Sequence, residues 1–305
     1  MRLEDKLVAY LKYCEYRKEL DKKTLKAYRI DLRQYFEYVC MDNPDKEKIE
    51  EYITQLHKNY KQKTVKRKIA SIKAFYNYLE ENEIIAENPF RKIKVKFKET
   101  VTLPRIIPRE EIEKLLNHMY QCLNEHNKTF RKYMLRDIAV IEVFFATGAR
   151  VYEISNIREE SINLNTGLIR LMGKGGKERY VQISNTSVLE VLKKYYDENK
   201  QTIRKCGYFF INNRENRYTE QSIRMMLKKY TKQAGIERNI TPHMFRHSFA
   251  TYLIEEGVDV SCVQQILGHS SIKTTQIYIH IAAKKQAEIL REMHPRNNMQ
   301  IVGAA

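Results

Sequence analysis

Residues Ile162 to Ile183 (INLNTGLIRLMGKGGKERYVQI) alternate apolar and polar side chains, whereas the apolar residues before and after them recur at helical spacing. Alternation is the mark of a strand with one buried face, and turn residues at Asn165 to Gly167 and Gly173 to Gly176 divide the stretch into three short strands. The chain is therefore expected to be mainly α, with one small antiparallel β-sheet.

The helices sort into two groups. In residues 1–95, Leu3, Leu7, Leu11 and Cys14 make one apolar stripe, and Leu25, Tyr28, Leu32, Phe36 and Val39 a second. Asn43-Pro44 breaks the chain; Ile49, Ile53 and Leu56 carry a third helix, and Val65, Ile69, Ile72, Tyr76 and Leu79 a fourth. These predict an all-helical N-terminal bundle. On the fourth helix Lys63, Lys66, Arg67 and Lys73 lie on faces away from the stripe, a layout that suits a phosphate backbone or an ordinary solvated surface. Asn88-Pro89-Phe90 stops that helix, and RKIKVKFKETVTLPRIIP follows with no stripe, so residues 96–107 read as an extended basic linker.

The second domain is expected over 108–305. Pro108-Arg-Glu-Glu is a helix start, and Asp137 to Thr147 (DIAVIEVFFAT) is the most apolar run, too short to span a bilayer and so best placed as a central buried helix. It ends at Thr147-Gly148-Ala149-Arg150, where glycine would turn the chain and present Arg150, with Glu153 able to brace it or a neighbour. After the sheet come a helix over 187–200, a short strand over Tyr208 to Ile211, a helix over 219–234, and a helical segment from Ala282 to Met293. Gly173-Lys174-Gly175-Gly176-Lys177 has the wrong glycine spacing for a Walker loop and reads as a hairpin tip carrying a lysine.

Charge narrows the partner. A formal net charge of +17 on 43% hydrophobic residues describes a folded protein that attracts a polyanion, although it also suits a ribosomal or membrane-surface protein. No run approaches the ~18 apolar residues of a membrane span, and MRLEDKLVAY has no signal or transit character, so a soluble cytoplasmic protein is expected. The five cysteines, at 14, 40, 122, 206 and 262, are odd in number and lack C-x-x-C spacing, which fits reduced thiols rather than disulfides or zinc.

The stretch from Thr241 to Tyr278 carries the chemistry. Thr241 and Pro242 read as the N-cap and first residue of a helix, which sets His243 and Arg246 on one face near its positive end, where an anion would be held. Gly257 suits the end of this helix and Gly268 the end of the next, over Val260 to Leu267. His269 follows at once, and Tyr278 stands nine positions beyond it. Each residue also has an ordinary reading: Arg246 could pair with Glu255 or Glu256, and Tyr278 could be one of many half-buried tyrosines. His243 and His247 have the i, i+4 spacing of a zinc site, but Met244 stands where a metalloprotease carries glutamate, so no metal is expected.

H-x-x-R-H-S-F-A-T, then L-G-H-S, then a tyrosine nine past that histidine resembles the C-terminal signature of the tyrosine recombinase (phage integrase) family. Thr24-Leu-Lys-Ala-Tyr and Lys61 to Lys68 resemble its N-terminal core-binding domain. The resemblance implies a SAM-like helical domain followed by an α+β catalytic domain, in the simpler Xer-like layout. It also implies the site residues: Arg150 with Glu153 as its acidic companion, Lys174 as the β-hairpin lysine directed at the scissile nucleotide, and His243, Arg246, His269 and Tyr278. Ala149 departs from the Leu or Met more usual before the arginine. The implied partners are double-stranded DNA with a specific target site and further copies of the chain, as a dimer on a site and a tetramer in the synapse, with the C-terminal helix passed to a neighbour.

A phenol with a pKa near ~10 is a poor nucleophile at neutral pH, so Tyr278 needs positive charge gathered round the phosphate it attacks. Arg150 and Arg246 can each offer two parallel N–H bonds, His269 a further donor, His243 proton traffic at the tyrosine, and Lys174 a proton for the departing 5′-hydroxyl. The phosphotyrosyl bond keeps the bond energy, so neither ATP nor any other cofactor is expected. A type IB topoisomerase and a non-catalytic DNA-binding protein of the same fold are the rival readings.

Overall fold

The structure, a computed structural model, describes residues 3–40, 44–97, 105–125, 128–268 and 291. The chain divides into two compact units, Met1–Thr100 and Val101–Ala305.

The first unit holds helices α1 (Leu3–Tyr16), α2 (Lys22–Val39), α3 (Lys46–Asn59) and α4 (Gln62–Glu81), followed by a 3-10 turn at Pro89–Lys92. Carboxylates start two of them: Asp21 accepts from the Lys23 and Thr24 N–H groups at 2.9 and 3.1 Å, and Asp45 from that of Lys48 at 2.8 Å. The stripes converge on one core, with Leu7, Leu32, Phe36, Ile49, Leu56, Val65, Ile69 and Leu79 buried together. At its centre the core is aromatic. Tyr10 meets Phe75 edge-on at 5.2 Å, and the Tyr35 and Tyr76 hydroxyls share a hydrogen bond of 3.0 Å. Burial pushes both phenols up, Tyr76 to about 12, so they remain neutral.

Asp31 is a wholly buried carboxylate on α2. It accepts from Lys68 Nζ at 3.0 Å, from Ser71 Oγ at 3.1 Å and from Arg67. Lys68 is only 3% exposed, so Asp31→Ala would leave a buried ammonium with its charge unmatched and only the neutral Gln34 side-chain oxygen accepting from it. A loss of about 3–5 kcal/mol is expected, read as a lower denaturation midpoint of this unit; a midpoint near the wild-type value would show that Lys68 finds water or another partner.

The ends of the expected linker are packed rather than free. Phe97 lies against His57 with ring centroids 5.7 Å apart and under Lys66 Nζ at 5.1 Å, within the first unit. Ile107 is fully buried in the second, where its N–H donates to Ser248 Oγ at 2.7 Å and its carbonyl accepts from the Tyr252 hydroxyl. Residues 98–104 of that segment lie outside the described residues.

The second unit is built round α6 (Lys128–Thr147), which packs against α5 (Arg109–Glu125), α8 (Thr186–Cys206) and α10 (Pro242–Glu255). Between them come α7 (Val151–Ser155) and α9 (Glu220–Gln233), with strands β1 (Ile162–Asn163), β2 (Leu168–Met172) and β3 (Glu178–Gln182), and α11 (Val260–Leu267) follows α10. Ile138 to Ile141, Val143 and Phe144 are fully buried, as expected for a helix apolar all round. The same helix brings in a charge pair, Arg136 Nη2 2.7 Å from Asp137 Oδ1. The Tyr218 and Tyr230 hydroxyls donate to Asp137 at 3.2 Å each, and Arg136 donates to the Ile211 carbonyl at 3.2 Å, so the polar atoms of this buried pair are matched.

The sheet is antiparallel in the order β1-β2-β3, with Ile162 opposite Ile169 and Ile169 opposite Val181. Gly167 makes the first turn at φ +77°, and a Cβ there would stand 2.2 Å from the Ile183 carbonyl oxygen. Two local expectations need correction. Tyr208 to Ile211 forms only isolated bridges, Arg158 with Tyr208 and Ile211 with Arg217: its two ends meet different partners, so no continuous ladder runs along it. Thr241 is the N-cap of α10 but makes no side-chain cap; its carbonyl accepts from the Met244 N–H at 2.9 Å, and Pro242 has already removed one orphan donor. Of the helix expected over 282–293 only Arg291 is described, and it is helical; the rest lies outside the described residues. Among the described residues no helix is long and apolar enough to cross a membrane.

Candidate active site

The site begins where α6 ends. Thr147 Oγ1 donates to the Val143 carbonyl at 2.6 Å and accepts from the Ala149 N–H at 3.2 Å, shaping the turn. Gly148 takes φ +59°, and a Cβ there would meet Phe249 at 2.6 Å and Leu267 at 2.7 Å, so glycine is required twice over. The turn delivers Arg150 as the N-cap residue of α7. Glu153, one turn on, accepts from the Arg150 N–H and from Arg150 Nη1, both at 2.8 Å. The arginine side chain is 39% exposed and the glutamate 2%, so a buried carboxylate holds a guanidinium that still reaches solvent.

Arg246, on α10, is 5% exposed, and its terminal nitrogens reach backbone carbonyls. Its Nη1 donates to the Gly148 carbonyl at 2.9 Å and its Nη2 to the Leu267 carbonyl at 2.7 Å. Leu267 ends α11, so its carbonyl has no intrahelical donor and the guanidinium supplies one. One side chain thus ties the turn before Arg150 to the last residue but one before His269.

Arg179 on β3 was not singled out from the sequence, and it is central. Its Nη2 donates to Glu153 Oε2 at 2.7 Å, and its Nη1 to the Ile266 carbonyl. A signal for it existed: alternation puts Arg179 on the same face of β3 as buried Val181, and a charge on a core-facing position needs a partner. Burial alone would push the Glu153 carboxyl up, but Arg179, with the Arg150 backbone and guanidinium, outweighs it and holds the group below the ordinary carboxylate range. A depressed pKa stabilises the fold above the unfolded value of 4.5, and that stabilisation is lost as pH falls through the lower folded value. Glu153→Gln is therefore expected to be less stable than wild type at neutral pH and to lose less on acidification, as thermal unfolding over a pH series would show; parallel curves would remove Glu153 from this role.

Lys174 opens a 3-10 turn at the tip of the β2–β3 hairpin, closed by the Gly173 N–H donating to the Lys177 carbonyl at 2.7 Å. The base of that tip turn adjoins the site, since a Cβ on Gly173 would lie 3.8 Å from Glu153 Oε1. His243 is exposed on α10. His247, one turn along, is half-buried, and burial followed by the charges of His243 and Arg246 pushes its imidazole down, toward the neutral form. His269 and Tyr278 lie outside the described residues; the described chain ends this region at Gly268, φ +63°. In the first unit Lys63, Lys66 and Arg67 are exposed on α4, with Arg67 held by Asp31. Lys73 does not stand clear of the stripe: it is half-buried, its Nζ 5.9 Å from the Phe90 ring.

Arg150 and Arg179 thus share the Glu153 carboxylate, and Arg246 is tied to the turn before Arg150; three guanidiniums beside one carboxylate are an excess of positive charge suited to a phosphate. Among the described residues no cluster of His, Cys, Asp or Glu could hold a metal ion.

Residues 105–285 match the phage integrase family and residues 7–83 its N-terminal SAM-like domain. A tyrosine recombinase of Agathobacter rectalis is 45% identical over 300 residues, covering 97% of this chain and 98% of that one. Tyrosine recombinase XerD of Listeria innocua is 33% identical over 306 residues, covering 96% and 100%. The solved XerH site-specific recombinase, bound to a palindromic difH substrate, shares the fold with a TM-score of 0.73 at 24% identity, over 92% of this chain and 83% of that one.

Proposed function

Because the chain belongs to the phage integrase family, we propose that it is a site-specific DNA recombinase, cutting and rejoining duplex DNA through a 3′-phosphotyrosyl intermediate. The observation that carries this reading is the guanidinium network: Arg150 braced by buried Glu153, and Arg246 joining the Arg150 turn to the end of α11. The tyrosine hydroxyl of Tyr278 attacks the scissile phosphorus, the P–O bond to the 5′ carbon's oxygen breaks, and the 5′-hydroxyl leaves with a proton. Arg150 and Arg246 hold the non-bridging oxygens as charge gathers on them, with His269 as a further donor. His243 accepts the tyrosine proton and Lys174 protonates the departing oxygen. One phosphodiester is exchanged for another, so a different 5′-hydroxyl reverses the step without ATP.

The partner is duplex DNA carrying a target site, gripped in part by Lys63, Lys66 and Arg67 of α4, by protomers that pair on a site and join as a tetramer, in the cytoplasm. The test is a nicked suicide substrate carrying the target site. A protein–DNA adduct that survives denaturation and disappears on proteolysis is expected, and its absence on every site that the protein binds would overturn the reading.

Assembly has its own test. The segment 282–293 has an apolar stripe of Ala282, Ala283, Ile289, Leu290 and Met293 that needs a partner, and a neighbouring protomer supplies it. Removing the residues after Ala283 is expected to leave half-site binding intact while full-site cooperativity falls in gel shifts. Equal cooperativity would mean that the segment packs on its own protomer.

A further inference from the structure

We propose that Arg179 is a positioning residue for strand cleavage, coupling the Arg150–Glu153 pair to the end of α11 from which His269 follows. The proposal deepens the recombinase reading and rests on it.

The side chain is 11% exposed, so its charge has been taken out of water and must be matched by well-placed partners. Its two terminal nitrogens find them on different elements, Glu153 Oε2 on α7 at 2.7 Å and the Ile266 carbonyl on α11. Its stem runs against Gly268, where a Cβ would lie 2.8 Å from Arg179 Cδ. The backbone that leads into His269 is therefore shaped to let this arginine pass. Arg246 makes the companion link through the neighbouring Leu267 carbonyl to Gly148, so consecutive carbonyls at the end of α11 are held by guanidiniums from β3 and α10. One strut fixes the turn before Arg150, and the other fixes the carboxylate after it. If Arg179 is lost, the direct tie between Glu153 and α11 goes, and Arg246 alone holds the turn before Arg150 to the end of α11.

A structural contact and a positioning role differ in their pH signature. The charged groups acting on Glu153 are Arg150, ahead of its own helix, and Arg179, from β3. Helices α6 and α9 and strand β2 also pack on α7, without a further ion pair to Glu153 among the described residues. Without Arg179, only Arg150 is left to oppose burial, and the carboxyl protonates at a higher pH than in wild type. Once protonated, it no longer accepts both Arg150 bonds.

The experiment is single-turnover cleavage of the nicked target-site substrate by full-length wild type, Arg179→Gln and Arg179→Lys, over an acid pH series, with unfolding midpoints measured alongside. Arg179→Gln is expected to cleave on the order of 10²-fold more slowly, with the acid limb of its profile moved to higher pH. Arg179→Lys keeps the charge but cannot span both partners, so it should restore the acid limb while recovering only part of the rate. Cleavage by Arg179→Gln within a few fold of wild type would overturn the proposal. So would a rate loss that follows the unfolding midpoint with the acid limb unmoved, or full rescue by lysine. Absence of any adduct with the wild-type protein would instead count against the recombinase reading itself.

Discussion

Tyr278→Phe is expected to abolish covalent attachment to DNA while leaving affinity within a few fold of wild type. In the proposed reaction the phenol oxygen forms the new bond to phosphorus, and phenylalanine offers nothing in its place. Binding, by contrast, is a sum over many phosphate contacts in a chain of formal charge +17, to which one neutral hydroxyl adds little. Denaturing gels of the nicked substrate read the first quantity and a titration at fixed salt the second. An adduct that persists in the variant would remove Tyr278 from the nucleophile's place and direct attention to another of the chain's 21 tyrosines.

Arg246→Lys is expected to lose about 10²–10³-fold in cleavage rate, with much weaker effects on binding. The guanidinium is buried and gives one N–H to the Gly148 carbonyl and another to the Leu267 carbonyl; with five N–H donors in a planar fork it can in the proposed reaction also meet a phosphate oxygen. A lysine has one nitrogen at the end of a flexible stem and cannot bridge both carbonyls while also meeting a substrate oxygen. The carbonyl left unmatched should cost about 1–3 kcal/mol of stability, so cleavage must be measured well below the unfolding midpoint of the variant. If cleavage is near normal there, Arg246 braces the fold and takes no part in the reaction.

The residues of the site differ in how far they could be read from the chain. Arg150 and Arg246 were visible because each sits at fixed offsets from punctuation, Gly148 for one and Thr241-Pro242 for the other. Arg179 has no such neighbour. In isolation it is one more cation on a basic hairpin, and its importance comes from a glutamate 26 residues away and a carbonyl 87 residues away. Asp31 is similar: nothing near it on α2 reveals that Lys68 and Ser71, two turns of α4, will converge on it.

Local pattern therefore determined what local physics governs: the helical stripes, the alternating sheet, the glycines that stop helices, and the order of the motif residues. Apolar periodicity and turn chemistry act over a few residues, and their outcome can be read within the same few residues. Tertiary structure decided how the charges were distributed. It set Arg246 on two backbone carbonyls, brought Arg179 across to Glu153, folded Phe90 beside Lys73, and kept Tyr208 to Ile211 from becoming a strand. A buried charge takes whichever partner the packed core brings within reach, and in this protein those partners come from elements far apart in the chain.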